Sequence, residues 1–365
     1  NIPMIPFFDV SLSNKKYKKE VINSIYKVAN SKTHILGKET EKFEKNFAKY
    51  IDSKYCVGLN SGTDAIELSL RALNISKGDE VITSAHTATA TISAIISTSA
   101  TPVVADITEE NFNMNPSILT NYLTKKTKAI VVVHIYGQSC NLDEVMKISK
   151  KYNIPIIEDV AQATGAKWRG KKLGSFGLIS CFSFYPTKNL AAIGDAGAVI
   201  TNNKNLYKKL LSLRSYGWNS KRESKIYGRN SRIDELQSSL LNIKLKNLDK
   251  ENKIRKNKAN YYLKNITNKE IILPKINKES FHAFHLFVLR TKNRDRLMQF
   301  LKRMKIQTAI HYKLPNHRHS FFKKKVISKI IPHITDKLSK EIISIPLYPL
   351  LKIKDQKKID SAINK

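Results

Sequence analysis

Between residues 55 and 203 the chain alternates short, uninterrupted apolar runs with segments of helical spacing. The runs fall at 55–59, 81–82, 102–105, 129–134, 154–158, 179–182 and 197–203, and helical patterns at 86–96 and 142–152 lie between some of them. A run that is apolar at every position suits a strand buried on both faces. The pattern therefore predicts an α/β fold, a mainly parallel sheet covered by helices on both sides. In such a sheet functional groups gather beyond the carboxyl ends of the strands. Upstream, 15–29 and 39–50 repeat at helical spacing, with Val21, Ile25 and Val28 on one face of the first and Phe43 and Phe47 on one face of the second.

Downstream, one long amphipathic helix is predicted from Asp234 through Leu236, Leu240, Ile243 and Leu248 to about Lys264. A length of 365 residues exceeds the usual single domain. The boundary is placed inside this helix, near Asp249, giving a large domain of residues 1–249 with an N-terminal arm and a smaller one of 250–365. In the smaller part 283–289 and 307–310 read as strands and 294–304 as a helix.

Composition changes this picture little. A formal charge of +34 invites a polyanionic partner, but the lysines are spread through almost every segment among Asn and Ile, and no nucleic-acid-binding signature accompanies them. No specific nucleic-acid partner is expected. No apolar run is long enough to span a bilayer and the first residues lack a signal-like pattern, so no membrane association and a cytoplasmic location are expected. Cys56, Cys140 and Cys181 stand apart in apolar surroundings, without ligand spacing, so no metal site is expected.

Four stretches carry chemistry. A strand, Asn60-Ser61-Gly62-Thr63-Asp64 and a helix start in succession form an anion site, because the first N–H groups of a helix lack partners and its dipole is positive there. The same residues also suit an ordinary helix cap. Neither a Walker lysine nor a dinucleotide glycine pattern is present. Asp159 and Gln162 follow a buried strand, where a carboxylate needs a cation or several donors: a salt bridge or a cofactor nitrogen. Ser183-Phe184-Tyr185-Pro186-Thr187-Lys188-Asn189 runs from a strand into a tight turn presenting one lysine, ahead of Gly194-Asp195-Ala196-Gly197. Last comes the polar loop 311–317, which a merely solvated loop explains equally well. Together the parts match pyridoxal phosphate. Gly62, Thr63 and Ser183 anchor the phosphate, Asp159 keeps the pyridine nitrogen protonated, and Lys188 forms the imine.

With these motifs in order, and with 228–237 (Gly-Arg-Asn-Ser-Arg-Ile-Asp-Glu-Leu-Gln), the chain resembles the DegT/StrS nucleotide-sugar aminotransferases over about residues 5–350. The resemblance implies a fold type I architecture with a seven-stranded sheet and a smaller α+β C-terminal domain, and a homodimer with shared active sites. It implies that Asn230 reaches the cofactor phosphate of the neighbouring subunit and that Gln162 sits beside the ring near its phenolic oxygen. His311, Tyr312 and His317 then lie near the sugar, with Tyr185 and Arg232 also binding substrate; Arg232 and Arg229 are candidates for the donor carboxylate or the diphosphate. The implied reaction is ping-pong transfer from L-glutamate to a nucleotide-linked keto-sugar through a Lys188 internal aldimine, with pyridoxamine phosphate between the halves. Within the family the Arg214-Ser215-Tyr216-Gly217-Trp218 and His311-Tyr312 segments look most like members acting on a dTDP-3-keto-6-deoxyhexose. One departure stands out: Ala88 occupies the position where many members stack an aromatic ring on the cofactor, and His86 is the candidate to cover it instead. Two rival readings are a pyridoxamine-dependent sugar dehydratase, which carries histidine in place of the lysine, and a regulatory relative without activity.

Overall fold

A computed structural model describes residues 3–365. The apolar runs become β1 (Tyr55–Leu59), β2 (Glu80–Ser84), β3 (Thr101–Ala105), β4 (Thr127–Val133), β5 (Ile156–Asp159), β8 (Ile179–Ser183) and β9 (Gly197–Thr201), with a small ribbon β6 (Lys167–Trp168) and β7 (Lys171–Lys172) between β5 and β8. They form one seven-stranded sheet in the order β1-β9-β8-β5-β4-β2-β3. The β2/β3, β2/β4, β4/β5 and β5/β8 pairs are parallel, while β9 runs antiparallel to both β8 and β1.

Burial on both faces is visible in the side-chain alternation. Val131, Ile157 and Val199 point into the core under α4 (Gly62–Ala72), α5 (Thr89–Ser97) and α7 (Lys204–Leu213). Phe182, Ala198 and Ile200 point the other way, against Phe43 and Phe47 of α3 (Lys38–Ile51) and Leu241 and Leu245 of α8 (Glu235–Leu245). Ile130, Val132 and Ile156 complete that second face with Val145 of α6 (Leu142–Tyr152). The helices α1 (Val10–Lys16) and α2 (Lys18–Ala29) precede α3. All three cysteines are buried and free.

Two expectations need correction. The single helix predicted over 234–264 is two, α8 and α9 (Leu248–Asn265), separated at Lys246 and Asn247. The apolar spacing continues through Leu245 and Leu248, so periodicity carries no sign of the break. Likewise 307–310 is no strand: Ala309 makes one isolated antiparallel bridge to Ser344. The run 283–289 yields β11 (Phe287–Arg290), preceded by β10 (Ser280–Phe281). Ahead of it, Ala283 N–H donates to Gly137 O, in the turn that follows β4, at 2.8 Å.

The C-terminal core packs β11 against β12 (Ile342–Ile345), with α10 (Arg294–Arg303), α11 (His333–Glu341) and α12 (Ile353–Ile363) in the same segment. Phe287, Leu289, Leu301, Ile343 and Ile359 fill it. The two cores meet along α9: Leu248 belongs to the first, Ala259 and Tyr262 to the second. Ile5, from the N-terminal arm, lies in the C-terminal core and bridges to Ile306 in parallel. No helix among the described residues is long and apolar enough to cross a membrane.

Candidate active site

At the carboxyl end of β1 the chain turns directly into α4. Ser61 is extended there (φ −158°, ψ 166°), and its hydroxyl caps the helix by accepting from Asp64 N–H at 3.1 Å. As in any first helical turn, the N–H groups of Gly62 and Thr63 have no partner within the helix, and Ser183, the last residue of β8, lies alongside Gly62. A Cβ added to Gly62 would meet that of Ser183 at 2.6 Å, so glycine is what lets the two walls approach. These residues line a cavity of about 240 Å³ that also takes in Asp159, Gln162, Tyr185 and Lys188.

Asp159 ends β5 and is 5% exposed. Its Oδ2 accepts from the Thr91 hydroxyl at 2.9 Å and its Oδ1 from Ala161 N–H at 3.1 Å. Burial raises its carboxyl above the ordinary value, while the Ala161 N–H, the Thr91 hydroxyl and the Lys188 charge pull in the other direction. A buried carboxylate with two neutral donors still favours a cation beside it. Lys188 is held by a turn in which its own N–H donates to Tyr185 O at 2.8 Å. Burial pushes its ammonium down to about 8, against the attraction of Asp159. The cavity thus offers an anion seat at one wall, a carboxylate that favours a cation, and an amine with a usable neutral fraction near neutral pH.

Gln162 is fixed at both ends. Its Oε1 accepts from Tyr136 N–H at 2.8 Å, and its Nε2 donates to the Tyr312 hydroxyl at 2.9 Å. Tyr136 follows β4 in a left-handed turn (φ 59°), and its hydroxyl donates to His311 O. His86 Nε2 stands 2.5 Å from that same hydroxyl. Because the hydroxyl proton goes to His311 O, His86 donates. Burial, with the His311 imidazole adding to it, pushes the His86 ring down to about 4, so it is neutral at neutral pH.

The structure brings Gly62, Thr63, Asp159, Gln162, Ser183, Tyr185 and Lys188 to one cavity, with Tyr312 attached through Gln162. The other residues are elsewhere. His86 is not among the residues lining that cavity; its ring packs against Tyr136 and Phe112, while Ala88 lines the wall. His311 stacks on Phe7, bonds to the Ser344 hydroxyl at 2.9 Å, and lines an adjoining, mostly apolar cavity that shares Tyr185. His317 is buried against Asp336 at 2.8 Å. Arg232 donates to Asn230 Oδ1 at 2.9 Å in a loop that does not line the cavity, and Arg229 is taken up by Glu67 at 2.6 Å. Sequence reasoning missed Thr91 and Tyr136. The only available signals were a threonine-rich helix start opposite Asp159 and an aromatic residue before Gly137 at the end of an apolar run.

Residues 15–364 match the family described as the DegT/DnrJ/EryC1/StrS aminotransferase family. A dTDP-3-amino-3,6-dideoxy-alpha-D-galactopyranose transaminase from Aneurinibacillus thermoaerophilus is 42% identical over 362 residues, 99% of both chains. A protein of Geobacillus stearothermophilus named as a pleiotropic regulatory protein is 36% identical over 355 residues, 96% of this chain and 95% of its own. Among solved structures, S. venezuelae DesV in complex with a ketimine intermediate superposes with a TM-score of 0.97 at 35% identity, covering 99% of this chain and 98% of that one. The architecture is that of the fold type I aminotransferases.

Proposed function

The chain belongs to the DegT/DnrJ/EryC1/StrS aminotransferase family, and from that premise we propose that it is a pyridoxal-phosphate-dependent aminotransferase moving an amino group from L-glutamate to the keto group of a nucleotide-linked deoxysugar. The observation that carries this is the convergence of Lys188, Asp159 and the glycine-led start of α4 on one cavity at the strand ends. The donor set fits the cofactor: helix N–H groups and the Ser183 hydroxyl for a phosphate, and a buried carboxylate for a protonated ring nitrogen. When bound, pyridoxal phosphate supplies an electron sink that lets a C–H bond next to the transferred nitrogen ionise.

The chain's own residues do the rest. Gly62, Thr63 and Ser183 hold the phosphate and fix the cofactor's register in the cavity. Asp159 keeps a proton on the ring nitrogen, and Thr91 and Ala161 keep Asp159 in place. Lys188 would hold the cofactor through Nζ and, when free, would move a proton with the same nitrogen, a role suited to an amine held at about 8. Gln162 and Tyr312 orient the cavity's remaining side. The two half-reactions use one cavity in turn, which gives double-displacement kinetics. Asn230 is exposed and does not line its own chain's cavity, which is compatible with a homodimer in which it serves the neighbouring site.

The similar A. thermoaerophilus transaminase, by its name a maker of a 3-amino-3,6-dideoxyhexose, supports a dTDP-3-keto-6-deoxyhexose as the acceptor. A panel of nucleotide keto-sugars with glutamate, read by mass spectrometry and NMR of the product, tests this; amination at C4 overturns the C3 assignment. Purified protein is expected to show cofactor absorbance that Lys188→Ala alters. Protein that takes up no cofactor, with Lys188→Ala behaving identically, sinks the enzyme reading and leaves the regulatory one.

A further inference from the structure

Only one side of the α4 start belongs to the cofactor cavity. Gly62, Thr63 and Ile66 line that cavity, whereas Asp64 and Glu67 do not. Asp64 and Glu67, three residues apart, share one helix face and are 5% and 3% exposed. Two buried carboxylates one turn apart need cations or strong donors, and the polar loop after α7 supplies them. The Ser231 hydroxyl donates to Asp64 Oδ2 at 2.6 Å, a short bond of the kind a carboxylate accepts. Arg229 Nη1 lies 3.4 Å from Asp64 Oδ1 and 2.6 Å from Glu67 Oε2. Arg71 Nε takes the other oxygen of Glu67 at 2.8 Å.

The residue between those two anchors is Asn230. The backbone on either side of it is pinned as well: Arg229 N–H donates to Leu213 O and Ser231 N–H to Arg214 O, both at 2.9 Å. Asn230 itself is exposed, and its Oδ1 accepts from Arg232 Nε at 2.9 Å. With the carbonyl engaged, the amide N–H groups are what this side chain can offer a ligand, and N–H donors are what a phosphate accepts. An asparagine whose flanking residues and carbonyl are already fixed also loses less freedom on binding than a loose one.

We propose that Asp64 is a positioning residue for the neighbouring subunit: from the side of α4 that does not line its own cavity it fixes Ser231 and Arg229, and through them the Asn230 amide that donates to the phosphate held by the other chain. This rests on the shared-site homodimer of the proposed function, and deepens it by naming what sets Asn230. Each α4 start then serves two seats, its own through Gly62 and Thr63 and its neighbour's through Asp64.

Hybrid dimers test this without turnover. Chains with different affinity tags are co-expressed, one carrying Lys188→Ala and the other Asp64→Ala, and uptake of pyridoxal phosphate is followed by the absorbance of lysine-linked cofactor. The only Lys188 present is then in the Asp64→Ala chain, whose site receives Asn230 from the chain with an intact Asp64. The Asp64→Ala homodimer is expected to bind the cofactor about tenfold more weakly than wild type, the worth of one hydrogen bond to a charged group, and the hybrid to regain wild-type affinity. Asn230→Ala put through the same pairing should show the same loss and the same rescue. If Asn230→Ala is rescued and Asp64→Ala is not, Asp64 acts at its own seat and the proposal is overturned, as it is by an Asp64→Ala homodimer of wild-type affinity. An Asn230→Ala defect that persists in the hybrid defeats the shared-site reading itself. Should Asp64→Ala fail to fold, Ser231→Ala removes the donor while leaving α4 untouched, and the same loss with the same rescue is expected of it.

Discussion

Lys188 and Asp159 press on each other's titration, and the lysine is the one that can be read directly. With its ammonium held to about 8 by burial, the rate of trinitrophenylation of Lys188 in cofactor-free protein, followed by peptide mass spectrometry, should rise with a midpoint near 8. A midpoint near the ordinary 10.5 rejects the desolvated environment. The linkage has a definite sign. Between about 8 and 10.5 the unfolded chain holds a proton that the native chain has lost, so Lys188's contribution to stability improves as pH rises through that window. Lys188, Asp159, Ser183 and Gly62 could be picked out from sequence because each sits at a strand end, marked by an apolar run and a turn. Thr91 and Tyr136 could not, because what makes them matter are bonds across 68 residues to Asp159 and 50 residues to His86.

Among the elements, the contact between β9 and the start of α4 has little slack. A Cβ on Gly197 would run into the Ser61 carbonyl and reach Gly62 N at 2.7 Å, backbone atoms that cannot rotate aside. Gly197→Ala should lower stability by about 1–3 kcal/mol, seen as a reduced urea midpoint, and loosen cofactor retention along with it. The Tyr136 turn joins the two cores: its hydroxyl meets His86 and His311 O, its N–H meets Gln162, and Gly137 O receives Ala283 N–H. Tyr136→Phe leaves the His86 donor buried without an acceptor and is expected to destabilise by about 1–3 kcal/mol in equilibrium denaturation. An unchanged midpoint would show that the turn holds without that hydroxyl. The sheet was legible because strands buried on both faces are apolar throughout. The start of α5 was not: the pattern begins at His86, but Ala88 is extended and the helix opens at Thr89, since Ser84 and His86 bond locally first.

Across the whole molecule, buried imidazoles govern the acid side. Burial puts His86 and His311 at about 4, His282 at about 3 and His285 well below its ordinary value, all four from desolvation first. As pH falls below 6.5 the unfolded chain takes protons that these sites refuse, so stability present above 6.5 is lost on acidification. With roughly 1.4 kcal/mol per proton per pH unit, four such sites produce a steep fall, and the urea midpoint should drop sharply between pH 6.5 and 5. Self-repulsion from a charge of +34 acts in the same direction and should yield to added salt, whereas the imidazole effect should not. The sheet order also has a consequence in time. The strand paired with β1 is β9, and at roughly 5–20 residues per second Gly197 leaves the ribosome on the order of 10 s after Leu59. Until then β1 and the α4 start wait without a neighbour, although β2 to β5 can already pair with one another. On the proposed function, a nascent chain stalled before residue 197 would carry Lys188 and Asp159 but no finished seat for a phosphate, and newly made protein would gain affinity for the cofactor only after more than half of its length had been synthesised.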